Sequence, residues 1–193
     1  MSAPSAVRNA RTAFTPTPQQ VFVDGISTWP TAGGPLHSFR VDIHAAGMDS
    51  PIGAASGWIS WHLSPEELSS AALLVGAYPS MFGAAVERIS TDGFGRDVVF
   101  VERIVLDARF RGYRLNGAIL MDLADLLCPH STDPLVVLQP EPLGPGGLGY
   151  DRGAFRDRAL ERLRTTYRAS GLQPAPGHPE VFLAGRGELQ AHS

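Results

Sequence analysis

Residues 98–127 read VVFVERIVLDARFRGYRLNGAILMDLADLL, and this stretch decides the fold that the sequence predicts. The first nine residues are apolar except for two charges, which is typical of a strand in the middle of a sheet. Over residues 115–127 the apolar residues recur at helical spacing, which predicts an amphipathic helix. A glycine-containing turn with Arg111 and Arg114 joins the two. Because the first turn of a helix presents free N–H groups and the positive end of its dipole, this order of elements favours a phosphate-bearing ligand.

Composition restricts the classes of protein to which the chain can belong. Its 193 residues suit one domain, and a hydrophobic fraction of 44% is enough for a real core. We see neither an apolar run that could cross a bilayer nor a secretory signal. A single cysteine, Cys128, excludes an internal disulfide and predicts a reducing, cytoplasmic compartment. A net charge of −3 argues against nucleic-acid binding, and the absence of lysine excludes lysine-based catalysis.

Strand and helix patterns alternate along the rest of the chain. Ser64 is followed by a proline and two glutamates, which predicts an N-cap and a helix that starts at Pro65. Together the patterns predict an α/β fold with a mixed, twisted sheet flanked by helices. We predict strands over 21–23, 36–45, 55–63, 98–106, 135–138 and 181–183, helices over 65–77, 81–89, 115–127 and 155–170, a disordered arm over 1–20, a single domain over 21–187 and a tail over 188–193.

Two short motifs in the second half resemble those of the GNAT superfamily of N-acetyltransferases. That family binds acetyl-CoA at a strand, turn and helix with the motif Arg/Gln-x-x-Gly-x-Gly/Ala, and here residues 111–116 read RGYRLN. The family also has a tyrosine a few residues before a glycine and an aromatic residue, and here residues 167–172 read YRASGL. Arg114 and Asn116 stand where the family has small residues. The resemblance covers residues 98–183 and implies a single-domain, GNAT-like fold.

The resemblance also implies which residues hold acetyl-CoA, the acyl donor. Main-chain groups of Leu106 and Asp107 would orient the pantetheine and acetyl group. The N–H groups of the turn would hold the pyrophosphate, and Asn116 tolerates a positive φ there. The turn residues with this implied role are Arg111, Gly112, Tyr113, Arg114, Leu115, Asn116 and Gly117.

Two side chains are candidates for proton transfer, and each has a structural alternative. Tyr167 occupies the position of the family's tyrosine, which implies a general acid, but it also ends an apolar i, i+4 stripe that predicts core packing. Glu102 is the candidate base, expected on the strand face of Phe100, Ile104 and Leu106, and an ion pair with an arginine is the alternative. His62 is a second candidate base, and a lone strand histidine is more often structural. Cys128 beside His130 lacks the pattern of a nucleophile or a metal site.

These observations lead to two hypotheses about function. The first is an acyl-CoA-dependent N-acyltransferase that transfers acetyl to an amine by direct attack. It would use no metal and bind neither nucleic acid nor a membrane, and a homodimer is compatible with it. The acidic excess outside residues 103–168 suits a cationic amine. The second is a non-catalytic GNAT-like binding or interaction module, which Arg114 and Asn116 favour.

Overall fold

The computed structural model describes residues 17–31, 34–92, 96–143, 149 and 151–191. Within them the chain is an α/β protein with one open, mixed sheet flanked by helices, which confirms the predicted fold class. The strands are β1 (Val21–Pro30), β2 (His37–Ala45), β3 (Gly53–Ser60), β4 (Val98–Leu106), β5 (Leu135–Leu138), β6 (Gln173–Ala175) and β7 (His178–Gly185). The α-helices are α1 (Pro65–Val75), α2 (Pro79–Asp92), α3 (Asn116–Leu127), α4 (Ala154–Ala169) and α5 (Arg186–Gln190).

The strands lie in the order β1-β2-β3-β4-β5-β7-β6. Strands β4 and β5 pair in parallel, from Val98 opposite Leu135 to Val101 opposite Leu138, and α3 makes the crossover between them. The other described pairings are antiparallel. The one parallel pair therefore lies in the middle of the sheet, where both faces are covered.

Each face of the sheet has its own apolar core. Helices α1 and α2 cover one face, where Phe82 stacks on Phe100 of β4 with ring centroids 4.4 Å apart. Helices α3 and α5 and the end of α4 cover the other face, where Val99 and Val101 of β4 are buried. The alternation of Phe39, Val41 and Ile43 predicted for β2 is confirmed, because all three side chains are buried.

Local sequence accounts for the ends of α1. The hydroxyl of Ser64 accepts a hydrogen bond from the Glu67 N–H, and the Glu67 carboxylate accepts one from the Ser64 N–H at 2.9 Å. Proline occupies the first helical position, and Gly76 ends the helix with φ of 65°. The predicted helix start is therefore confirmed.

Several boundaries differ from the prediction. Strand β1 is longer than 21–23, and β6 and α5 were not predicted. Leu189 of α5 is fully buried, so the ordered fold continues into the segment expected to be a tail. Leu126, predicted for the buried face of α3, is 36% exposed. The arm predicted over 1–20 falls largely outside the described residues, and its last residues, Pro18–Gln20, form a 3-10 helix.

Among the described residues, no helix is both long and apolar enough to cross a membrane.

Candidate functional site

The site begins at an irregularity in the middle of β4. Opposite β3 the register steps from Ser56 facing Arg103 to Gly57 facing Val101, which leaves Glu102 without a partner residue. This is a β-bulge, and Gly57 makes it possible, since a Cβ at position 57 would overlap the carbonyl oxygen of Phe100. On its other side β4 makes its last pair with β5 at Val101, so the two strands part where the bulge begins.

A cleft of about 500 Å³ opens where β4 and β5 part. The second half of β4 forms one wall, and one side of α4 forms the facing wall. The turn before α3 closes one end, and Tyr78 with the chain after β5 closes the other. The volume lies in the range of small-molecule sites. The cleft is lined by segments 101–106, 110–116, 138–139 and 141–143, by Tyr78 and by residues of α4.

The turn between β4 and α3 leaves a helix N-terminus open toward the cleft. The first hydrogen bond of this helix joins the Ile119 N–H to the Leu115 carbonyl, so the N–H groups of residues 116–118 precede it. Leu115, at the N-cap, has no side-chain oxygen to cap them. Arg111 Nε donates to the Leu106 carbonyl at 2.9 Å and leaves the rest of its guanidinium in the cleft. This arrangement suits an anion.

Three of the positions named for acetyl-CoA have local features that the sequence did not indicate, and their roles toward acetyl-CoA stay predictions. The Asp107 N–H donates to the Ile52 carbonyl at 2.9 Å and faces β3, so it is directed away from the cleft. Gly117 is buried, and a Cβ there would lie 3.3 Å from the Ser170 side chain, so its lack of a side chain serves helix packing. Arg114, with φ of 58°, takes the left-handed conformation considered for Asn116, which is instead the first residue of α3.

Backbone direction shows which part of β4 can pair with a ligand. Successive peptide groups of a strand point to opposite sides. Since Asp107 points toward β3, the main-chain groups of Leu106 and Ile104 point into the cleft. The Leu106 carbonyl, which accepts from Arg111, agrees with this direction. An extended ligand could therefore pair with β4 in the place that β5 leaves vacant.

The position of Tyr167 is compatible with both of its predicted roles, that of a general acid and that of a core residue. Phe155, Ala159 and Leu163 precede it on α4, and all four residues line the cleft. Its ring is buried and lies 6.4 Å from the ring of Phe182. Burial raises the pKa of Tyr167 above its ordinary value, so the hydroxyl keeps its proton.

Glu102 lies at the cleft, but Ile104 and Leu106 do not share a face with Phe100 as predicted. The bulge changes the alternation, so that Ile104 and Leu106 join the core on the α3 side, whereas Phe100 belongs to the core on the other side. The Glu102 carboxylate lies near Tyr78, and its negative charge contributes to raising the pKa of that tyrosine. No ion pair of its carboxylate with an arginine is seen among the described residues, and the predicted ion pair stays a prediction.

Tyr78 lines the cleft and was not expected at the site from the sequence. It lies between α1 and α2 with φ of 54°, in the gap between the predicted helices 65–77 and 81–89. Burial and the nearby Glu102 raise the pKa of Tyr78. Three non-glycine residues have positive φ in the described ranges, and two of them, Tyr78 and Arg114, line the cleft. Strained backbone of this kind is found most often at functional sites.

Charge differs between the two ends of the cleft. Arg111, Arg114 and Arg162 lie among the residues near the α3 turn and on α4. At the Tyr78 end lie Glu102, Arg103 and Glu141, and Glu141 is held by Arg156 at 2.8 Å and 3.0 Å. One end thus suits phosphate groups, and the other presents the carboxylate of Glu102.

His62 and Cys128 lie apart from this cleft. Both line a second depression, in which His62 Nδ1 lies 3.3 Å from the buried carboxylate of Asp97. Burial, with a smaller contribution from Asp97, raises the pKa of the Cys128 thiol to about 12. A thiol in this state is a poor nucleophile, in agreement with the prediction that Cys128 is not catalytic.

Within the described ranges no cluster of histidine, cysteine and carboxylate side chains could hold a metal ion. Neither the models of known protein families nor the curated proteins give a match to this chain.

Proposed function

We propose that this protein is an acyl-CoA-dependent N-acyltransferase of the GNAT type, transferring acetyl to an amine in the cytoplasm. The observation that carries the proposal is the fork between β4 and β5. An exposed strand edge, an open helix N-terminus and the carboxylate of Glu102 all meet in the cleft that this fork creates. The proposal also draws on the resemblance of residues 111–116 and 167–172 to the family's motifs.

The α3 turn would hold the phosphate end of acetyl-CoA. The N–H groups at the start of α3 and the guanidinium of Arg111 would donate to the pyrophosphate. The main chain at Ile104 and Leu106 would pair with the pantetheine, in the manner of an added strand. Bound in this way, acetyl-CoA supplies an activated acyl group whose thiolate is a good leaving group.

The amine would react at the Tyr78 end of the cleft. Glu102 takes a proton from the ammonium group, and the neutral nitrogen then attacks the acyl carbon. A C–N bond forms, the C–S bond breaks, and the sulfur leaves with a proton. Direct attack needs no covalent enzyme intermediate, in agreement with the buried, unreactive thiol of Cys128.

Tyr167 is proposed to donate a proton to the leaving sulfur. Replacing it with phenylalanine keeps the ring and its packing against Phe182 but removes the hydroxyl. We expect kcat to fall about 100-fold, with the affinity for acetyl-CoA retained. Steady-state kinetics and calorimetry measure the two quantities. An unchanged kcat would assign Tyr167 to packing alone.

Binding of acetyl-CoA is the first experiment. At a concentration 100 times its Kd, a ligand of the folded state adds about 2.7 kcal/mol of stability, which corresponds to a rise in Tm of roughly 5–10 °C. Calorimetry on Arg111→Ala should show affinity weakened about 10-fold or more, since a charge-assisted contact is lost. Arg109→Ala is the matched control, because Arg109 lies in the same turn but outside the cleft.

One observation favours the second candidate function, a non-catalytic binding module. The side chain of Arg111 donates a hydrogen bond to the Leu106 carbonyl, which is one of the main-chain groups that a ligand would use. If millimolar acetyl-CoA leaves the Tm unchanged, this candidate replaces the enzyme. Release of free thiol in the presence of a panel of primary amines then separates a binder from an enzyme, since only an enzyme releases it.

A further inference from the structure

We propose that the second depression, in which His62 lies beside Asp97, is a binding site for an organic cation, an alkylguanidinium or alkylammonium group on an apolar body. The depression has a volume of about 460 Å³, which suits a small molecule. Four segments line it, namely the second half of β1, the turn after β3, the residue before β4, and residues 126–130 at the end of α3. The inference does not depend on the proposed acyltransferase.

The second depression and the cleft lie at opposite ends of α3. The cleft includes residues 115–116 at the start of this helix, and the depression includes residues 126–128 at its end. A helix of 12 residues spans about 18 Å. A small cation in the depression therefore does not reach the position at which Glu102 would meet the proposed acceptor amine.

A buried carboxylate lines the depression and gives it its charge. The side chain of Asp97 is 4% exposed, its Oδ1 accepts a hydrogen bond from the His62 N–H at 2.9 Å, and His62 Nδ1 lies 3.3 Å from the same oxygen. Within the described ranges no arginine forms an ion pair with Asp97. Because a buried carboxylate is costly unless its charge is compensated, a cationic ligand at this position would be bound favourably.

Trp61 provides a fixed apolar wall beside this carboxylate. Its indole N–H donates to the Leu127 carbonyl at 3.1 Å, and its ring centroid lies 4.7 Å from that of His37. Trp61, Leu126 and Ile26 all line the depression, and each is at least 36% exposed. Such a rim can cover the apolar body of a ligand, and the indole face attracts its positive charge. Apolar rim and buried charge together select an amphipathic cation.

The backbone of His62 gives a further indication. With φ of 55° it is the third non-glycine residue of positive φ in the described ranges, and the other two line the cleft. This strained conformation accompanies the approach of both the N–H and Nδ1 of His62 to Asp97. The imidazole is 77% exposed, so it can turn away from the carboxylate while the backbone N–H stays bonded. An arriving cation can thus take its place.

The first test compares butylguanidinium with butylurea, which has a similar shape and no charge. The three tryptophans give three indole N–H signals by NMR, and Trp61→Phe identifies the signal of Trp61. We expect butylguanidinium to shift this signal in a saturable manner and to bind at least about 10-fold more tightly than butylurea, since its contact with Asp97 is charge-assisted. Equal affinities, or a Trp61 signal that stays in place up to the solubility limit of butylguanidinium, would overturn the proposal.

The second test removes the charge of Asp97. In Asp97→Asn the amide oxygen can still accept from the His62 N–H, and we expect the affinity for butylguanidinium to fall about 10- to 100-fold. Asp49→Asn is the matched control, because Asp49 is exposed and lies outside both the cleft and the depression, and it should keep the parental affinity. Parental affinity in Asp97→Asn would overturn the proposal.

Two further variants keep the proposal testable if Asp97→Asn does not fold. His62→Gly suits the positive φ and retains the backbone N–H, so it should bind butylguanidinium at least as tightly as the parent, and lost binding would contradict recognition by Asp97. Glu102→Gln should keep the parental affinity, whereas a fall would place the cation in the cleft and overturn the proposal. Protein that meets these expectations but does not bind acetyl-CoA would overturn the proposed function alone.

Discussion

The left-handed backbone of Arg114 makes a prediction that depends on the turn alone. An L-residue at φ of 58° costs about 1–2 kcal/mol relative to its ordinary conformations. Glycine avoids this cost but loses about 0.5–1 kcal/mol more backbone entropy on folding. We therefore expect Arg114→Gly to be more stable than Arg114→Ala by about 0.5–1 kcal/mol, or roughly 1–4 °C in Tm for a chain of this size. Comparing glycine with alanine removes the loss of the guanidinium from the measurement.

The same pair of substitutions at Arg109 is the control. Arg109 lies in the 3-10 helix Ala108–Phe110, outside the group of residues with positive φ, and its side chain is 69% exposed. There alanine should be more stable than glycine, so the sign of the difference should reverse between the two positions. Denaturant unfolding of the four variants measures both differences. Alanine equal to or better than glycine at position 114 would refute the reasoning.

Two further predictions concern β4 and the buried thiol. Gly57→Ala forces a Cβ onto the Phe100 carbonyl and should lower the free energy of unfolding by about 1–3 kcal/mol in a denaturant titration. Gly187→Ala in α5 is the control, because position 187 has open space around it, and this variant should be neutral or stabilising in the same titration. Because the folded-state pKa of Cys128 is raised from about 9 to about 12, its contribution is complete below pH 9 and is lost as pH rises through that window. Raising the pH from 8 to 9.5 should cost about 0.8 kcal/mol, and an equal loss in Cys128→Ala would contradict this assignment.

The sequence predicted those elements whose local pattern agrees with their packing. Strands β4 and β5 have the predicted bounds, and α3 begins one residue from its predicted start. In each case a run of apolar residues coincides with burial on both faces or with one helical stripe. The start of α1 could be predicted equally well, because a capping box is contained within four consecutive residues.

Features that depend on contacts distant in sequence were not predicted. The faces of Ile104 and Leu106 were assigned by strict alternation, and no local signal in β4 marks the bulge. The residue that permits the bulge is Gly57, about forty-five residues earlier in the sequence. Its role can be recognised only when β3 is known to pair with β4. Tyr78 is a similar case, since its position near Glu102 requires α1 and α2 to fold over one face of the sheet. A positive φ at such a tyrosine leaves no trace in the sequence.

The bulge connects the fold of this protein with its proposed chemistry. One unpartnered residue in β4 shifts the alternation, so that Ile104 and Leu106 turn to the α3 core and Glu102 lies beside Tyr78. The same irregularity coincides with the end of pairing to β5, and this is what exposes a strand edge to the cleft. The geometry therefore explains why glycine is required at position 57, although its own atoms touch neither end of the cleft.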